Sequence, residues 1–232
     1  MTYNTFIFDL DGTLLDTLGD LAAAVNYALR THGLPEHSID DVRRFVGNGV
    51  RKLMERAVPD GAGNPLFEDT FATFRQYYMA HSLDTTRPYE GIPEALATLK
   101  AHGCRLAVVS NKMMAATQAL CSHFFPDTIE VAIGEHEAAG IRKKPAPDTV
   151  FAALRALNIS PPDSGGVRGG LNAVYVGDSD VDIQTARNSG IPCISVLWGF
   201  RNRDFLQKNG AETFISTPSD LLSNKTEPSP SV

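Results

Sequence analysis

The chain has 232 residues, of which 43% are hydrophobic and 21% charged, and its formal net charge is −6. This is ordinary globular composition, and it excludes extensive disorder, a collagen-like repeat and a coiled coil. No apolar run reaches the roughly 18 residues of a membrane helix, and no basic stripe marks a nucleic-acid surface. Cys104, Cys121 and Cys193 are isolated, odd in number and set in apolar surroundings, which is the usage of plain thiols in a reducing cytosol. The apolar start Phe6-Ile7-Phe8 meets Asp9 before a signal-peptide core can form, so a cytoplasmic location is expected.

The first predicted element is a buried strand ending in Asp9-Leu10-Asp11-Gly12-Thr13. Leu21, Ala24, Val25, Ala28 and Leu29 then recur at helical spacing over Leu18–Arg30, and Gly33 marks a stop. Ser38 with Asp41 reads as a capping box. Further helical patterns cover Asp41–Val46, Val50–Val58 and Leu66–Ser82, so residues 17–87 are expected to be wholly helical. After Pro88 the order alternates. Helix Glu94–His102 is followed by strand Arg105–Val109, helix Met114–Phe124, strand Ile129–Ile133 and helix Asp148–Leu157. Strand Ala173–Val176, helix Asp180–Ser189, strand Cys193–Leu197 and a short strand Thr213–Ile215 complete it.

Alternating strands and helices imply an α/β fold with a Rossmann-like parallel sheet. The all-helical stretch interrupts that pattern after the first strand. We therefore expect a core domain from 1–16 and 88–222, an inserted all-α cap domain over 17–87, and a polar, Pro-rich disordered tail at 223–232. The Gly-rich stretch 161–172 precedes a strand rather than following one, which is the wrong order for a phosphate cradle, so a surface loop is expected.

Four segments carry the chemistry, each at the carboxyl end of a predicted strand or in a loop at that end, where open parallel sheets bind ligands. Asp9 and Asp11 stand two apart at a strand end, a costly pairing of like charges without a cation, and Gly12 lets the backbone turn and approach an anion. Ser110 and Asn111 follow the apolar Val108-Val109; taken alone Ser110 is a good helix N-cap, and a helix start there would bind an anion. Lys144 is followed by Pro145, and prolines pin the loop that carries it. Gly177-Asp178-Ser179-Asp180-Val181-Asp182 places three acids within five residues. It lacks the glycine and glutamate of a calcium loop, and hard oxygen donors suit Mg²⁺ with a phosphate substrate.

At these residues the chain resembles the haloacid dehalogenase superfamily, over nearly its whole length. Asp9-Leu10-Asp11-Gly12-Thr13-Leu14 matches the nucleophile motif, and Ser110, Lys144-Pro145 and Gly177-Asp178 with Asp182 match the other three. The segment Phe45-Val46-Gly47-Asn48-Gly49 with Met54-Glu55-Arg56-Ala57 resembles the phosphoglycolate phosphatases of that family. The resemblance implies an aspartyl-phosphate on Asp9, with Asp11 protonating the leaving oxygen and then activating water. It implies Mg²⁺ held by Asp9, the Asp11 carbonyl and Asp178. Gly12, Ser110, Asn111 and Lys144 would hold the phosphoryl group, and Asp182 would orient Lys144 or a metal-bound water. Asn48 and Arg51 of the cap would reach the substrate.

The implied partner is a small phosphorylated metabolite, with no nucleic acid or membrane, on a monomer or homodimer. The implied reaction is hydrolysis of 2-phosphoglycolate, with a phosphosugar mutase, a pyrophosphatase and a non-catalytic module as alternatives. Relatives that break carbon–halogen or carbon–phosphorus bonds lack an acid at the position of Asp11. Its presence favours ester hydrolysis and leaves Lys52 as a surface lysine.

Overall fold

The computed structural model describes residues 3–137, 140–162 and 172–222, with the backbone of 227–228. The Gly-rich stretch expected to be a surface loop lies almost wholly outside these residues. The central strand β1 (Thr5–Phe8) pairs in parallel with β4 (Arg105–Met113) on one side and β6 (Ala173–Gly177) on the other. Beyond them lie β5 (Val131–Glu135), β7 (Cys193–Val196) and β8 (Thr213–Ile215), giving the order β5-β4-β1-β6-β7-β8-β9. The last member, β9 (Glu227–Pro228), runs antiparallel to β8, so two residues of the expected tail extend the sheet.

Alternation along the strands sorts side chains onto two faces. Phe6, Phe8, Leu106, Val108, Val174 and Val176 pack with α5 (Ile92–Ala101) and α6 (Met114–Phe124). Ile7, Ala107, Val109, Ala173 and Tyr175 pack with α7 (Asp148–Ala156) and α8 (Asp180–Asn188). Both faces are apolar, as a parallel sheet covered on both sides requires. Several elements depart from expectation, and β5 lies two residues later than predicted at both ends. Helix α5 begins two residues early, at Ile92 after a left-handed Gly91. Strand β4 runs on to Met113 because Met113 pairs with Glu135 after a register shift. A short helix α9 (Arg203–Lys208), capped by Asn202, was not foreseen.

Between β2 (Leu15–Asp16) and β3 (Arg87–Pro88), which pair antiparallel, the chain forms α1 (Leu18–Thr31), α2 (Ile39–Phe45), α3 (Val50–Ala57) and α4 (Phe67–His81). The capping box of Ser38 and Asp41 is present at the start of α2. Leu21, Val25, Leu29, Leu53, Met54, Phe74 and Tyr78 form a separate apolar cluster that meets the sheet layer through Ala116 of α6.

The two chain crossings into these helices are tied by one buried carboxylate. Asp20, in the first turn of α1, accepts from Thr85 N (2.9 Å) and Oγ1 (2.6 Å) and from Thr86 N (2.9 Å) and Oγ1 (2.8 Å). Removing it strands two backbone donors, each worth about 1–3 kcal/mol when buried. Asp20→Ala should therefore lower unfolding stability by about 2–3 kcal/mol in urea titration, while exposed Asp84→Ala should change it by less than about 0.5 kcal/mol.

Candidate active site

β1 ends at Phe8, and the chain then turns tightly. Leu10 O accepts from Leu14 N (3.0 Å) and Leu15 N (3.0 Å), and Gly12 N donates to Leu15 O (2.9 Å). This turn gives Asp9 and Asp11 different partners. Asp9 accepts from Lys144 Nζ at 2.7 Å, and Asp11 accepts from Lys112 Nζ at 2.7 and 3.0 Å. Lys112 and Lys144 are both almost wholly buried, 3% and 4% exposed. Burial opposes each ammonium, but the facing carboxylates outweigh it and hold both lysines above the ordinary lysine range.

Lys144 also donates to Asp182 Oδ1 (2.8 Å) and Tyr175 OH (3.1 Å), and Tyr175 OH donates to the same Asp182 oxygen (2.9 Å). The other Asp182 oxygen accepts from Ser179 N (3.1 Å) and Oγ (2.6 Å) in the capping box of α8. Four donors therefore occupy Asp182. Asp180 is the first helical residue and does not cap.

Asp178, 1% exposed, has one oxygen engaged, by Phe200 N at 2.6 Å. Glycines make this approach possible. A Cβ on Gly12 (φ +89°) or on Gly199 would fall closer than 3.0 Å to the Asp178 carboxylate.

Asp9, Asp178 and Asp182 present oxygens within 4.8 Å of one another, and Lys144 is the cation between them. Burial, then Asp182, pushes the Asp9 carboxyl up to about 7 against the pull of Lys144. Burial, then Asp182 and Asp9, also holds the Asp178 carboxyl well above the ordinary carboxylate range. Three buried acids against one ammonium leave an excess of negative charge that a divalent cation offsets. Asp182 is saturated, so Asp9 and Asp178 are the carboxylates open to a metal. The Asp11 carbonyl accepts no hydrogen bond from a described residue and is a third hard donor. The residues present fit Mg²⁺.

Asp9, Asp11, Ser110, Asn111, Lys144 and Asp178 all line one pocket, closed from the helical side by Leu21, Val46, Val50 and Leu53. Gly12 packs against Asp178 and is not among the residues that line the pocket. Ser110 is not a helix cap. β4 continues through it, α6 starts four residues later at Met114, and Ser110 Oγ accepts from Lys112 N (3.2 Å). Two expected residues are not brought in. Arg56 reaches back to take Phe45 O (2.6 Å) and Asn48 Oδ1 (2.7 Å), turning the Asn48 side chain away. Arg51 pairs with Glu68 (2.5 Å) and lies over the Phe67 and Phe71 rings. Lys52 is exposed and paired with Glu55 (2.8 Å), as expected of a surface lysine.

Sequence reasoning missed Lys112, Tyr175 and Arg201. Arg201 donates to Arg43 O (2.8 Å) and Val46 O (2.8 Å), pinning the end of α2 to the sheet layer. Lys112 sat beside Ser110 and Asn111 in a segment already singled out. Nothing local marks it as buried, because its partner Asp11 is 101 residues away. Breaking one side of such a pair leaves an uncompensated charge. Lys112→Met and Asp11→Asn should each destabilise by about 2–4 kcal/mol, and the double variant by clearly less than their sum in chemical denaturation.

Among the described residues, no helix is long and apolar enough to cross a membrane. The sequence model of haloacid dehalogenase-like hydrolases matches residues 6–196. The phosphoglycolate phosphatase of Caulobacter vibrioides is 36% identical, over 94% of this chain and 88% of its own. That of Aquifex aeolicus is 32% identical over 93% of each. A crystal structure from Lactobacillus delbrueckii subsp. bulgaricus, provisionally named for the same activity, superposes with a TM-score of 0.87. It is 36% identical and covers 97% of this chain and 99% of its own. With its sheet topology, its lysine-bridged carboxylates and this match over most of its length, the chain is an enzyme of the haloacid dehalogenase-like hydrolase family.

Proposed function

We propose that the protein is a cytoplasmic, Mg²⁺-dependent phosphatase that hydrolyses a small phosphate monoester, 2-phosphoglycolate, through an aspartyl-phosphate on Asp9. The observation that carries the reading is the pairing of Asp9 and Asp11 with separate buried lysines around one pocket. Two adjacent carboxylates with different counterions are equipped for two roles. The relatives named for this substrate support the choice of ester.

Lys144 holds one Asp9 oxygen, and among the described residues no hydrogen bond engages the other, which is left to attack phosphorus. That oxygen forms the new P–O bond as the ester oxygen leaves. Asp11 protonates the departing alkoxide and then takes a proton from the water that cleaves the acyl-phosphate. Lys112 keeps Asp11 in place for both transfers. The Lys144 ammonium and the Ser110 hydroxyl stabilise charge on the phosphoryl oxygens. Asp9, Asp178 and the Asp11 carbonyl would hold Mg²⁺, which screens the carboxylate from the phosphate. The apolar wall of Leu21, Val46, Val50 and Leu53, contributed by the helical insertion acting as a cap, excludes water and admits only a short leaving group.

Phosphate release should be measured over 2-phosphoglycolate, pyrophosphate and several sugar phosphates, with and without Mg²⁺. Strong Mg²⁺-dependent release from 2-phosphoglycolate, lowered by at least about 10³-fold in Asp9→Asn, is expected. Even release over the panel would remove the substrate assignment, and an isomerised sugar phosphate without free phosphate would remove hydrolysis. Independently of turnover, Mg²⁺ should raise the melting temperature of the wild type. At a hundredfold excess over its Kd the gain is about 2.7 kcal/mol. Asp178→Asn should abolish that gain; an undiminished rise would place the ion elsewhere.

A further inference from the structure

Asn111 was expected to bind phosphate, but its amide is already engaged. Its Oδ1 accepts from Lys144 N at 2.8 Å, and its Nδ2 donates to Lys144 O at 3.0 Å and to Gly47 O at 3.3 Å. A primary amide has two N–H donors, so both have acceptors and none faces the phosphoryl site. The side chain is 4% exposed. Two bonds to the N–H and C=O of one residue grip the backbone as a strand partner would. They do so where Lys144 has no strand or helix of its own, in the loop between β5 and α7.

The third bond crosses to the helical insertion. Gly47 and Gly49 belong to the loop between α2 and α3, and a Cβ on Gly49 (φ +87°) would fall 3.3 Å from Asn111 O. The loop therefore seats directly on the residue that grips Lys144, while Arg201 holds its other end at Arg43 O and Val46 O.

We propose that Asn111 is a positioning residue that fixes Lys144 and couples its placement to the seating of the α2–α3 loop. The amide rotamer that satisfies Lys144 is the one that also reaches Gly47. Lifting the loop removes one acceptor from Nδ2, weakens the hold on that rotamer, and so loosens the lysine before any substrate arrives. The catalytic meaning of the coupling rests on the reading that Lys144 serves the phosphoryl group; the coupling itself does not.

The test reads Lys144 directly. The full-length protein is exposed to an amine-acylating reagent, and modification of Lys144 is followed by peptide mass spectrometry against exposed Lys52 as internal standard. Wild-type Lys144 should be protected. Asn111→Ala should raise its modification rate by roughly tenfold, the scale of one lost hydrogen bond. Asn111→Asp has nearly the same volume and keeps the acceptor for Lys144 N but loses both donors; it should do the same if the alanine variant folds poorly. Gly49→Val, which unseats the loop with Asn111 intact, should also expose Lys144. Protection retained in both Asn111 variants overturns the positioning role, and a fall in kcat/KM with Lys144 still protected would assign Asn111 to the phosphate itself. Protection retained only in Gly49→Val overturns the coupling. Labelling as expected in a protein that releases no phosphate would keep this inference and remove the proposed function.

Discussion

The ammonium of Lys144, held at 2.7 Å from Asp9 and 2.8 Å from Asp182, is the contact on which the site depends. Parallel strands bring Asp9 and Asp178 to one edge, and the start of α8 adds Asp182. Three carboxylates that close and that buried are unstable without compensation. One fixed cation lets two of them share its charge, and four hydrogen bonds anchor Asp182 as its back support. Asp178 is left with an open oxygen and no ammonium of its own. The remaining negative charge is what makes these residues fit a divalent cation.

The helical insertion is joined to this centre at few points, each polar and directional. Asp20 ties the two chain crossings, Arg201 takes carbonyls at the end of α2, and Asn111 takes Gly47. Lys112, under Asp11, lies 4.8 Å from the centre of the Tyr78 ring of α4. Apolar contact with the sheet layer runs through buried Ala116 and the partly buried Met113 and Phe200. A layer that carries its own core and docks through a few hydrogen bonds can shift as a unit at small cost. In the proposed function such a unit serves as a lid over the pocket.

Much of the architecture was legible because it follows from short-range patterns. Buried strands such as Phe6-Ile7-Phe8 and Ala173–Val176 are continuous apolar runs, and helices such as Leu18–Thr31 repeat at 3.6 residues. The errors arose where tertiary pairing overrode local preference. Ser110 has the chemistry of a cap, but a partner strand extends β4 through it, so no helix starts there. Asn48 and Arg51 stand in a loop and on a helix facing the site in sequence, but Arg56, Glu68 and two phenylalanine rings claim their side chains.

Most strands and helices, the helical insertion and the placing of Asp9, Asp11 and Asp178 just after strands, with Lys144 in a loop at that end, can be read from the chain itself. These depend on residue type and spacing within a dozen positions. How the charges pair emerges only in three dimensions: Lys144 with Asp9 and Asp182, Lys112 with Asp11, and the amide of Asn111 with a backbone 33 residues away. An ion pair or a buried amide acquires its meaning from what faces it across space. Periodicity places a side chain on a strand or helix, but it does not say which distant group will neutralise it.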